Sequence, residues 1–159
     1  MIAFSIIVGC SSNKTNEKVT EAMEAVLKST LTGPEDELIR INELKADEWA
    51  QELRKYEENR FREYFANDES YEDFVNVYGA VLMIDPMRND YQLEVKNIEF
   101  EKTDSDEIIY HFEVEVEYKK NGSDASEVGI VKGQANLNEE YKIERMEIRY
   151  SDVWSNFYS

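Results

Sequence analysis

Few residues in this chain are of a type that does chemistry unaided. Of its 159 residues, one is a cysteine, Cys10, and one is a histidine, His111. A single thiol leaves no internal disulfide and no cysteine-based metal site, and a catalytic zinc ion wants two or three imidazoles. Histidine is the side-chain type suited to acid–base work near neutral pH, but His111 alternates with Glu113, Glu115 and Glu117, which sets it on a solvent-facing strand face. Carboxylates and phenols are plentiful, with 35 Asp and Glu and ten Tyr. General acid–base work needs a carboxyl whose pKa is tuned by burial, and no acid stands isolated in an otherwise apolar strand face. A glycine-rich phosphate loop and a Ser-centred nucleophile elbow are both missing. Asp104-Ser105-Asp106-Glu107 has acidic spacing without the glycine and distal glutamate of a calcium loop, and it reads as a hairpin turn. No catalytic residue, metal or cofactor is assigned on these grounds.

The charge balance excludes some partners. With 18 Lys and Arg the chain carries a net charge of −17. Phosphate binding needs clustered basic residues that release counterions, so nucleic acid is not an expected partner. Direct attraction to anionic lipid is disfavoured for the same reason. The excess of acid reads first as a solvated, aggregation-resistant surface, and second as a surface that favours cationic ligands or divalent ions. A hydrophobic fraction of 42%, with seven Phe and two Trp, suffices for one aromatic-rich core in a chain of single-domain length.

Cys10 stands in a distinctive setting. Ile2 to Val8 is a short apolar run followed by Gly9, Cys10, Ser11, Ser12 and Asn13. An apolar region ending in small residues is how an export signal looks, and this one is too short to span a bilayer, which takes about 20 apolar residues. Ile7-Val8-Gly9-Cys10 resembles the bacterial lipobox. That resemblance implies a diacylglycerol on the Cys10 thiol, removal of residues 1–9, a polar tether over 10–15, and a domain over 16–159. The expected location is the extracytoplasmic face of the cell membrane. The run departs from the signal pattern in having no Lys or Arg before Cys10. The alternative is a first strand with a buried free cysteine, in a cytoplasmic domain with no lipid anchor.

The elements that position everything else follow from periodicity. From Asn16, Val19, Ala22, Met23, Val26, Leu27 and Leu31 recur at helical spacing, and Gly33-Pro34 closes that helix. A short helix carries Leu38, Ile39 and Ile41. A third, over about 47–65, has a stripe of Trp49, Leu53, Tyr56, Arg60 and Tyr64. Ser70-Tyr71-Glu72-Asp73 matches a capping box before a fourth helix expected to run to Asp85-Pro86. From Tyr91 the period becomes two. Four strands follow, with slips at Lys96-Asn97 and Glu144-Arg145 that mark β-bulges. The second strand sets Tyr110, Phe112, Val114, Val116 and Tyr118 on one face.

Helices followed by an antiparallel meander mean an α+β fold with the helices packed on one face of the sheet, and bulges imply that the sheet is bent. This order resembles the nuclear transport factor 2-like superfamily, a curved four-stranded sheet forming a cone, over residues 16–150. The chain also looks like small Gram-positive lipoproteins that pair a lipobox with such a domain. The resemblance implies a pocket, for which Trp49, Tyr78, Tyr110 and Tyr118 are the lining candidates, with Asp85 in reach; the alternative is that the tyrosines are core residues with hydroxyls at the rim. Three functions follow. A binding or accessory module, taking a protein or small-molecule ligand, predicts an apolar concavity without a buried acid. An isomerase or lyase predicts one carboxyl buried among aromatics with a raised pKa. A structural spacer predicts a cone filled by its own side chains. The aromatic segment Val153-Trp154-Ser155-Asn156-Phe157-Tyr158 is expected to close the open end by packing.

Overall fold

The computed structural model describes residues 11–158, with side chains from residue 17 onward. Cys10, and with it the expected lipid attachment, lies outside the described residues. Helix α1 spans Ser11–Leu31 and buries Val19, Ala22, Met23, Val26, Leu27 and Leu31. It is already helical at Ser11, ahead of the expected Asn16, because the polar stretch between them holds no Gly or Pro to interrupt a helix. Helix α2, Asp36–Asn42, buries Leu38 and Ile41. Helix α3, Ala46–Phe61, buries Leu53, Tyr56, Glu57 and Phe61 and tightens into a 3-10 turn at Arg62–Tyr64.

Helix α4, Asp68–Val77, differs from expectation at both ends. Its N-cap is Asn67, whose side chain accepts from Ser70 N at 2.9 Å. The cap therefore precedes the expected Ser70. The helix also stops at Val77 instead of running to Asp85. Gly79 turns the chain (φ 9, ψ −140) into a 3-10 turn at Ala80–Met83, and helix α5, Ile84–Arg88, follows. Pro86 does not end a helix but sits in the first turn of α5, where its missing N–H has no intrahelical partner to lose.

Strands β1 (Tyr91–Lys102), β2 (Ile108–Lys120), β3 (Glu127–Leu137) and β4 (Ile143–Arg149) form one antiparallel sheet in the order β1-β2-β3-β4. The sheet is curved and open. Pairing with β2 skips Lys96 between Val95 and Asn97. Pairing of β3 with β4 passes from Asn136↔Arg145 to Leu137↔Ile143, leaving Glu144 unpaired. Both slips fall where the alternation breaks, and each bends its strand. Helices α1 and α5 lie against β1, and α4 lies against β4. A last helix, α6 at Ser151–Trp154, packs on β3. Among the described residues no helix is long and apolar enough to cross a membrane.

Candidate functional site

The inner face of the sheet is filled. Leu93, Phe112, Val114, Val116, Tyr118, Val131 and Ile148 are buried under the helices, each stabilising the fold by about 1.5–3 kcal/mol of apolar transfer. The segment after β4 seals what the helices leave open. Tyr78 meets Tyr150, Tyr150 meets Trp154, Trp154 meets Phe157, and Phe157 meets Tyr91 and Tyr118, with ring centroids 4.9–6.4 Å apart. These spacings are within the favourable range for edge and tilted aromatic pairs. The Trp154 indole N–H donates to Leu82 O at 2.8 Å, so its one polar atom is satisfied in the interior.

The four candidate lining residues do not converge. Tyr118 is buried in the aromatic seal against Tyr91 and Phe157. Tyr110 is half-buried at the opposite end of β2, opposite Ala135 and Lys102. Tyr78 packs on Phe74 and Tyr150 where α4 ends. Tyr78 also lines an open concavity of about 580 Å³ between α4 and β4, and Trp49 lines a different one, a groove of about 510 Å³ between α3 and α4. Asp85 accepts from the exposed Tyr158 hydroxyl.

That groove is built from alternate faces of two helices. Helix α3 supplies Trp49, Leu53, Arg54 and Glu57, and α4 supplies Tyr71, Glu72 and Val75. Glu57 is the unusual member. It is only 8% exposed, and its Oε1 accepts from Ala80 N at 2.8 Å. The close approach depends on Gly79, where a Cβ would collide with that same oxygen. Glu57 thereby ties α3 to the 3-10 turn after α4. Burial raises its pKa above the ordinary 4.5, and the Ala80 N–H, which favours the charged form, offsets part of that rise. The Tyr71 hydroxyl is pushed up to about 12, by burial first and then by the charges of Glu57 and Glu58. Among the described residues no Lys or Arg pairs with Glu57, although Arg54 stands one turn earlier on the same helix.

The periodic stripe through Tyr56, Arg60 and Tyr64 runs along a neighbouring face of α3 and does not include Glu57. The signal that identifies it is the spacing Leu53–Glu57–Phe61, which places one acid between two buried apolar residues on a single helix face. The groove is thus not the acid-free concavity expected of a binding module.

His111 lies on the outer face of the sheet, as its alternation predicts. It is exposed, opposite Glu101 on β1 and Gln134 on β3. A shallow hollow of about 400 Å³ runs past it across all four strands, with Glu99, Glu113, Lys132 and Arg149 in one row. Lys132 pairs with Glu113 there, both exposed. No group of three or more His, Cys, Asp or Glu able to hold a metal ion occurs among the described residues. No protein-family model, curated protein or solved structure matches the chain.

Proposed function

We propose that this chain is a non-catalytic binding or accessory module, held at the extracytoplasmic face of the cell membrane by a lipid on Cys10, with the α3–α4 groove as its ligand site. One observation carries the binding half: a groove of about 510 Å³ opens between α3 and α4 on a molecule whose inner sheet face is already filled. The buried acid in it counts toward the catalytic reading below, but its Oε1 is engaged by Ala80 N–H as a tie between α3 and the turn after α4. Roughly 300–1,000 Å³ with apolar walls and a few polar groups is what a small-molecule site requires. A spacer needs no such groove. The anchor half is supported by the lipobox-like spelling of Ile7-Val8-Gly9-Cys10. Kinship with the nuclear transport factor 2-like superfamily belongs to the same proposal, supported by the order of helices and bulged strands.

Ligand-observed NMR with a small-fragment panel on the full chain tests the binding half. Hits are expected to be lost in Val75→Trp, which fills the groove, and hits indifferent to that change would move the site elsewhere. Mass spectrometry of the chain from membranes of its native host tests the anchor. A diacylglycerol on Cys10 and loss of residues 1–9 are expected, and an intact, unmodified N-terminus would overturn it.

A second reading has its own observation. Glu57 is buried with a raised pKa and has the Tyr71 phenol in the same groove, the pair of groups a small isomerase or lyase would use for proton transfer. Proton NMR of phenylacetone in D₂O separates the readings. Exchange of its α-protons above the buffer rate, abolished by Glu57→Gln, would favour catalysis.

A further inference from the structure

Resting on the binding reading above, we infer that the α3–α4 groove takes a small molecule bearing a primary ammonium on an apolar stem, with the free oxygen of Glu57 as the acceptor and Trp49 and Tyr71 beside the stem.

The inference starts from what Glu57 lacks. An ionised carboxylate has two oxygens and about four acceptor positions, and here Oε1 receives one neutral N–H from Ala80. Oε2 has no protein donor among the described residues and keeps contact with solvent, since Thr30 Oγ1 is the one fully buried side-chain polar atom among them without a partner. A carboxylate this buried is costly unless it is paired, and covering the groove with a ligand would deepen that cost. The ligand's own chemistry decides whether it can be covered. A neutral ligand brings no compensation, and an anionic one adds like charge. A metal ion would need further ligands, and no suitable cluster is present among the described residues. A guanidinium binds best through both oxygens of a carboxylate, and Oε1 is already engaged. An ammonium is a point charge with three donors and no acceptor, which suits a single free oxygen.

Most of the walls agree. Leu53 and Val75 are aliphatic, and Trp49 offers a π-system that attracts cations within about 6 Å of its face. The Tyr71 ring already has Arg62 over it at 5.9 Å and so serves the stem, and Arg54 is a lining residue of like charge to the ligand. Glu72 stands at the rim, exposed. The net charge of −17 draws cations toward the molecule and repels anions.

The test uses the full chain near neutral pH at fixed ionic strength, read by tryptophan emission. Of the two tryptophans, Trp154 is 2% exposed and bonded to Leu82, so ligand-induced change reports Trp49; Trp49→Phe confirms that assignment. Phenethylammonium is compared with 2-phenylethanol and 3-phenylpropionate, which share its stem and differ in charge. Phenethylammonium is expected to bind about tenfold more tightly than the alcohol, as one charge-assisted hydrogen bond allows. The carboxylate should bind more weakly than either. Glu57→Gln keeps an acceptor for Ala80 N–H and should reduce the ammonium to the level of the alcohol. Glu72→Gln at the rim should change it by no more than about twofold. Equal binding of ammonium and alcohol to the wild-type chain would overturn the ligand class and leave the groove as a binding site. An emission spectrum unmoved by all three probes would overturn both.

Discussion

The outer face of the sheet and the groove between α3 and α4 both present carboxylates, and they hold them in opposite ways. On the sheet, Glu99 faces Glu113 and Glu94 faces Glu117 on the neighbouring strand. Like charges directly opposite cost roughly 0.2–1 kcal/mol per pair. Water and lysine offset this: Lys96 reaches Glu94 at 2.7 Å and Glu117 at 3.3 Å, and Lys132 pairs with Glu113. In the groove a single carboxyl is withdrawn from water, bonded to one backbone N–H, and left without a cation. The abundance of acid on the sheet therefore speaks of solubility. The one acid that the fold has gone out of its way to bury, with a glycine cleared to admit it, speaks of a site.

The largest expected effect sets the scale of the filled inner face against the open groove. Trp154→Ala should destabilise by about 3–5 kcal/mol, as for core aromatic truncations, whereas the half-exposed Trp49→Ala should cost about 1–2 kcal/mol by area. Urea unfolding of both measures the gap, and equal losses would mean that the groove is part of the core.

Gly79→Ala should cost about 1–3 kcal/mol, the usual range for overpacking, because the new Cβ would meet Glu57 Oε1. Denaturation midpoints of Gly79→Ala, Glu57→Ala and the double variant form a cycle. Strong coupling between the two sites is expected, and simple additivity would separate Gly79 from Glu57.

The buried carboxyl should also leave a trace in the pH dependence of stability. Its folded pKa lies above the ordinary 4.5, so the native state holds this proton more tightly than the unfolded chain does. Its stabilising contribution is full below 4.5 and is lost as pH rises through the folded value. Glu57→Gln cannot titrate. Across that window the stability of the wild type relative to the Gln variant should fall, with a slope no steeper than about 1.4 kcal/mol per pH unit. Arg54 on α3 and Tyr71 and Glu72 on α4 face the same space and are unchanged in both proteins. Parallel stability curves would mean that Glu57 is no more buried than the sheet glutamates.

The smallest effect belongs to the sheet surface. His111→Ala and Lys132→Ala should each stay within about 1 kcal/mol of wild type, because exposed residues and exposed ion pairs contribute little. A larger loss at either would give the outer face a structural weight that its exposure does not suggest.

The sheet was legible because period-two alternation is local. His111 to Tyr118 assigns both faces of β2 from eight residues, and the two slips locate both bulges. The aromatic segment at 153–158 could be read as packing from its hydrophobicity, though its contact with Leu82 could not. The helical half was less legible. Continuous apolar periodicity through Val77, Val81 and Leu82 hid the break at Gly79, because that break answers to Glu57, more than twenty residues earlier. The lining tyrosines were grouped by type, and only the three-dimensional arrangement separates Tyr110 from Tyr118 at opposite ends of one strand. The groove itself arises from the mutual placement of α3 and α4, which no single stretch of sequence carries.

The aromatic seal has a consequence for how the molecule is made. Trp154 bonds to Leu82 O, 72 positions earlier, and Phe157 covers Tyr91 and Tyr118. These covering residues leave the ribosome after every helix and strand they protect. Until that segment has been added, Tyr91 and Tyr118 at one end of the sheet lack their cover, although the helices that bury the rest of the inner face are already made. A chain cut between Arg149 and Trp154 would leave that end of the strands exposed while keeping helices α1 to α5.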